Sequence, residues 1–210
     1  MGELAGCFAD DGGLEFPGTL ATGPAAILAA LTGGPANSNA LSALQSRGLG
    51  EGWSDFWSLM FTQRPTDGKM DSYPMATWVL GQTDADLGLR HFPYSYDMTV
   101  NPLTYGNYNV NPEVHGSGEI WTSVLWDLNW LYIDRYGYSS DLYDGTAGNN
   151  QLLQTVMDAL KIQPVTPTFL DARDAILAAD QAASGGANRD IIWEAFARRG
   201  MGVNAYDGGG

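Results

Sequence analysis

The sequence predicts a mainly α fold. Two observations carry the prediction: apolar residues recur at helical spacing between capping residues and closing glycines in several segments, and a single stretch from Arg64 to Pro112 is too rich in Pro, Gly, Asn, Asp and Tyr for regular structure. With 210 residues, 44% of them hydrophobic, the chain fits one domain or a large lobe and is long enough to bury a core. No internal repeat is visible.

Met1 to about Thr19, rich in Gly and acidic residues without sustained periodicity, reads as irregular chain. Leu20 to Leu31 is apolar and Ala-rich, and predicts a short helix after Pro24. Gly33-Gly34-Pro35 marks a turn. From Asn39 a short helix runs to Arg47 and stops at Gly48, and a second begins near Gly50 with Trp53, Phe56, Leu59 and Met60 on it. The Arg64 to Pro112 stretch reads as a long irregular excursion with at most short strands or turns around Thr77 to Leu80; such a stretch is uncommon in a compact domain unless it shapes a cleft.

A long helix then begins near Glu113 or Ser117 and carries Trp121, Leu125, Leu128, Leu131 and Tyr132 to Tyr136, ended by Gly137. Its apolar spacing predicts a core element. Three more helices follow, about Asn150 to Lys161, Thr168 to Ala183 with Thr168 as N-cap, and Asn188 to Arg199 with Gly200 as terminator. Asp207-Gly208-Gly209-Gly210 reads as a frayed end or linker.

A net charge of -14 with ten Lys plus Arg argues against a nucleic-acid backbone or an anionic membrane as partner. The single cysteine, Cys7, excludes an internal disulfide and a cysteine-based zinc cluster. No Lys or Arg precedes Arg47, so the start does not read as a signal peptide, and no apolar run approaches the roughly 20 residues that span a bilayer.

Glu51 and Asp55, in Gly50-Glu51-Gly52-Trp53-Ser54-Asp55-Phe56, are spaced so that both carboxylates share one helix face. That is how a metal site presents a ligand with a supporting acid behind it. The pair follows Gly33-Gly34-Pro35-Ala36-Asn37-Ser38-Asn39 and precedes Val114-His115-Gly116-Ser117-Gly118-Glu119-Ile120-Trp121. Together with Tyr94 to Tyr105, Asp171 to Leu177 and Ala187 to Gly200, these residues make the chain, from about Leu31 to about Gly202, resemble the fungalysin family of secreted zinc metallopeptidases. The resemblance implies an extracellular protein whose targeting segment lies upstream, a helical lobe similar to the C-terminal lobe of thermolysin-like peptidases, and a division into residues 1–30 (divergent), 31–203 (lobe) and 204–210 (tail).

It also implies site residues. The family holds zinc with two histidines of an HExxH helix and a glutamate of the next helix, leaving a fourth position for water; Glu51 matches that glutamate. Asp55 matches the acid that accepts a hydrogen bond from a zinc-bound histidine. His115 matches the imidazole that binds the tetrahedral oxyanion, and Gly116-Ser117-Gly118 beside it allows close approach of backbone and substrate. Arg90 stands where a guanidinium holds the substrate carbonyl. From the residues alone, Glu51 reads as a carboxylate favoured by the helix dipole, Asp55 as a cap or surface aspartate, Arg90 as a surface salt bridge and His91 as structural, while Glu119 either orients His115 or caps its helix.

One departure stands against these matches. Counting back from Glu51 by the family's separation places the two histidines and the catalytic glutamate at Ala21, Ala25 and Thr22, and no HExxH occurs in the 210 residues. Three readings stay open: the C-terminal part of a zinc endopeptidase whose N-terminal lobe is the missing partner, acting on protein or peptide substrates; a non-catalytic helical binding or structural module; and a different metalloenzyme using Glu51, Asp55, His115 and Glu119. Zinc, implied by the family, is not expected to be retained by this chain alone.

Overall fold

The computed structural model describes residues 14–16, 19–21, 36–109 and 113–207, and divides into two compact units, residues 1–43 and 44–210. In the first, β1 (Leu14–Phe16) pairs antiparallel with β2 (Thr19–Ala21), Leu14 opposite Ala21. Irregular chain was expected there: strands of three residues are too short for a period of two to register. Leu20 and Ala21, which precede the helix expected after Pro24, lie in this strand, and that helix and the Gly33-Gly34-Pro35 turn lie outside the described residues.

The helix α1 (Ala36–Thr62) runs unbroken through Gly48, where a stop and restart were expected. The glycines are there for contact. A Cβ on Gly48 would sit 2.6 Å from Ser117 Cβ, and one on Gly52 would sit 2.7 Å from the Gly118 carbonyl oxygen. The helix accepts the weak propensity of glycine because these positions face the backbone of the next helix.

That helix is α2 (Val114–Tyr136), capped by Glu113 and ended at Gly137, which has φ 78. Every residue from Gly116 to Tyr132 is buried, so α2 is the axis of the second unit and is enclosed on all sides. Helices α3 (Gly148–Ile162) and α5 (Arg189–Arg198) pack on it, and α4 (Phe169–Ser184) packs on α3 and α5. Thr168 and Asp171 close a capping box at the start of α4. Trp121 sits at the centre of the core against Trp53, Phe169 and Phe196.

Between α1 and α2 the chain makes two 3-10 turns, Trp78–Leu80 and Tyr105–Asn109, with isolated bridges Tyr73 to Tyr94 and Met75 to Gly88. One buried cation gathers three carbonyls of the excursion. Fully buried Arg199 pairs with Asp127 of α2 through Nε (2.8 Å) and Nη2 (3.0 Å) and donates to the carbonyls of Ser95 (3.0 Å), Asn101 (2.6 Å) and Leu103 (2.9 Å). Five fixed donors suit guanidinium to collecting carbonyls from irregular chain.

Candidate active site

The glycine contact between α1 and α2 sets the site. A Cβ on Gly118 would lie 2.8 Å from Glu51 Cβ and 2.9 Å from the Gly52 nitrogen, and Thr122 Oγ1 donates to the Gly52 carbonyl at 2.8 Å. Backbones this close bring residues at one level of each helix into side-chain reach. Glu51 and His115 meet in that way, with His115 Nε2 3.5 Å from Glu51 Oε2, both partly exposed.

His115 is oriented from behind. Glu113, the N-cap of α2, accepts the backbone N–H groups of His115 and Gly116, each at 3.0 Å, and lies 2.5 Å from His115 Nδ1. A carboxylate at that distance fixes a proton on Nδ1. Slight burial works against the Glu113 charge, but the two amides and the ring outweigh it and hold its carboxyl below the ordinary glutamate value.

Asp55, one turn beyond Glu51, is buried and fully engaged. Arg90 donates to it bidentately, Nε to Oδ2 at 2.6 Å and Nη2 to Oδ1 at 2.8 Å, and the Tyr94 hydroxyl donates to Oδ2 at 2.5 Å. Arg90 Nη2 also lies 3.8 Å from Glu51 Oε2. Burial, then the Asp55 charge, raises the Tyr94 phenol well above its ordinary value, so it stays a donor. The hydrogen bonds that Arg90 donates to Asp55 raise its guanidinium above the ordinary arginine value. Arg90 is thus a buried clamp rather than a surface salt bridge, because Asp55 sits behind it in the protein.

Glu119, one turn beyond His115, faces the same loop. Its buried carboxylate accepts the His91 backbone N–H through both oxygens (3.0 and 3.1 Å) and lies 3.0 Å from His91 Nδ1. Burial raises its carboxyl above the ordinary value, though the His91 contacts oppose this. Glu119 therefore neither caps α2 nor touches His115 through any of these bonds: it ties down the residue next to Arg90.

The residues present supply part of a zinc set. Glu51 offers one carboxylate beside an imidazole, and among the described residues no three His, Cys, Asp or Glu converge as metal ligands. Ala21 carries no ligand atom, and Thr22 and Ala25 lie outside the described residues. The arrangement can contribute a ligand carboxylate and an imidazole nitrogen, Nε2, that donates only when both ring nitrogens carry a proton, but it does not close around a metal by itself.

Sequence reasoning placed Glu51 and Asp55 on one helix and chose Arg90 and His115; the fold brings all four together. It did not find Tyr94 or Glu113. The signal for Glu113 was available, an acidic residue at a helix start two positions before a histidine, whereas nothing local marks Tyr94 as the partner of Asp55.

A family model described as Fungalysin metallopeptidase (M36) matches residues 26–205. Similar proteins include the extracellular metalloproteinase mep of Aspergillus fumigatus, 44% identical over 181 residues, which covers 83% of this chain and 28% of that protein. The extracellular metalloproteinase MEP of Leptosphaeria maculans is 42% identical over 185 residues (84% of this chain, 29% of the relative). That of Pyrenophora tritici-repentis is 41% identical over 188 residues (86% and 28%). The chain thus spans little more than a quarter of the length of these relatives.

Proposed function

Because this chain belongs to the fungalysin metallopeptidase family, we propose that residues 31–203 form the C-terminal half of a zinc-dependent metalloendopeptidase site that cleaves peptide bonds of extracellular proteins. The observation that carries this reading is the meeting of Glu51 and His115, 3.5 Å apart, across a helix contact that only glycine permits. Glu51 is the ligand that this half contributes; the rest of the ligand set and the water-activating base belong to an N-terminal lobe that is its partner.

His115 then acts on the substrate side. Glu113 holds the ring through Nδ1 and leaves Nε2 for the cleft, where an N–H at that atom would donate to a negatively charged tetrahedral oxygen. Arg90, fixed by Asp55 through Nε and Nη2, keeps Nη1 for a substrate carbonyl. Asp55 braces Arg90, and in this reading its carboxylate also accepts from a ligand histidine of the N-terminal lobe. The relatives are named extracellular metalloproteinases, and no helix among the described residues is long and apolar enough to cross a membrane; we place the protein outside the cell.

A chimera tests the reading. Replacing residues 1–30 by the family's N-terminal lobe with its HExxH helix should create chelator-sensitive cleavage of casein. In it, Glu51→Ala should lose zinc, whereas His115→Ala should keep zinc and lose roughly 10²–10³ in turnover, the usual cost of one oxyanion donor. A chimera that binds zinc but ignores His115→Ala would leave the lobe as scaffold. The second reading, a non-catalytic helical module, is favoured by the alanines where ligand histidines would stand; an HExxH in the upstream reading frame would exclude it.

A further inference from the structure

The loop from Met75 to Leu89 presents apolar side chains to solvent from a closely tied backbone. Trp78 is 88% exposed and Val79 72%, with Leu80, Leu87 and Leu89 exposed beside them. Leu89 N–H bonds the Met75 carbonyl at 2.8 Å, Gln82 N–H the Thr77 carbonyl at 2.9 Å, and Gly88 N–H the Gln82 side chain at 3.0 Å. Gly88 has φ 78, and a Cβ there would lie 2.4 Å from the Met75 carbonyl oxygen. Ala76 takes φ 58, an unfavourable region for a residue with a side chain. Strain and hydrogen bonds together hold Trp78 outward, the opposite of what burial of apolar surface would do.

A groove of about 410 Å³ runs between this loop and the end of α1, with Leu59, Met75 and Trp78 among its walls and three aspartates, Asp67, Asp71 and Asp84, against one cation, Arg64, along it. It begins one turn beyond Asp55, since Ser58 and Leu59 follow Asp55 at helical spacing, and its loop runs directly into Arg90. From Met70 to Leu89 there are three aspartates and no Lys or Arg.

We propose that this groove is a docking site for an extended polypeptide segment in which apolar residues are flanked by Lys or Arg, seated next to the candidate active site. The apolar side chains pack on Trp78, and the flanking cations meet a surface where three carboxylates outnumber the single guanidinium of Arg64, a balance that disfavours an acidic segment. This rests on the peptidase reading for its location and extends it to a substrate preference away from the cut bond.

The test is binding of a labelled synthetic peptide, Lys-Leu-Phe-Val-Leu-Lys, to the chain as it stands, by fluorescence anisotropy at low salt. The same peptide with Glu at both ends should bind about tenfold or more weakly. Trp78→Ala and Asp84→Lys should each weaken the Lys peptide about tenfold, and salt should do the same. Both side chains can be changed without touching the core, and circular dichroism confirms that the variants are folded. Equal binding of the two peptides, no binding, or binding indifferent to Trp78→Ala overturns the proposal. So does concentration-dependent dimerisation lost in Trp78→Ala, which would make a second copy the occupant, or shielding of Trp78 by an added N-terminal lobe, which would make the groove an internal interface. None of these measurements involves zinc or turnover, so their failure leaves the chimera test untouched.

Discussion

Removing the carboxylate of Asp55 should be the most damaging single change at the site that leaves Glu51 and His115 in place. Asp55→Ala strips a buried guanidinium of two charge-assisted bonds of 2.6 and 2.8 Å and leaves the buried Tyr94 hydroxyl without its 2.5 Å acceptor. Breaking a buried pair by deleting one partner costs about 3–5 kcal/mol. The orphaned hydroxyl adds about 1–3 kcal/mol where it finds no new acceptor. Glu51, 3.8 Å from Arg90 Nη2, offsets part of the loss, but it is 38% exposed and its field is screened. The expected total is about 4 kcal/mol. Tyr94→Phe leaves the ion pair intact and should cost about 1 kcal/mol, and because both changes remove the same bond, the double variant should cost less than the sum. Urea unfolding followed by tryptophan fluorescence measures all three. Asp55→Ala costing less than about 1 kcal/mol, or strict additivity with Tyr94→Phe, would mean that Arg90 is not held as described.

Gly52→Ala should destabilise by about 1–3 kcal/mol despite better helix propensity, because the new Cβ meets the Gly118 carbonyl at 2.7 Å, whereas Gly50→Ala, with nothing within 4 Å, should stabilise by about 0.5–1 kcal/mol; paired thermal unfolding curves give both signs. Glu113 and Glu119, on or at the start of one helix, should titrate in opposite directions from the ordinary value of 4.5 in a carboxyl NMR titration. Glu113, held lower, adds stability that is present above 4.5 and lost as pH falls through its folded value; Glu119, raised by burial, makes the fold less stable as pH rises from 4.5 through its folded value, and Glu119→Gln should flatten that part of the profile. The purified chain should lose zinc on dialysis against a mild chelator, since among the described residues Glu51 has no two further ligands beside it; stoichiometric metal after dialysis would reveal ligands beyond these.

By itself the sequence determined the helices whose limits are written locally: the Gly137 stop of α2, the Thr168 N-cap of α4, and the Gly200 terminator after α5. Each depends on residues within about four positions, where hydrogen-bond partners are set by the chain's own pitch. The same pitch made Glu51 and Asp55 neighbours. Gly48 was misread because glycine has one signature in sequence and two causes, conformational freedom and lack of volume, and which applies depends on what stands opposite. Only the tertiary structure placed Ser117 and Gly118 there, and only it gave Asp55 its partners Arg90 and Tyr94, 35 and 39 residues away in irregular chain. Such chain has no period to carry its register, so the place of each side chain is set by long-range hydrogen bonds, as Arg199 sets the carbonyls of Ser95, Asn101 and Leu103.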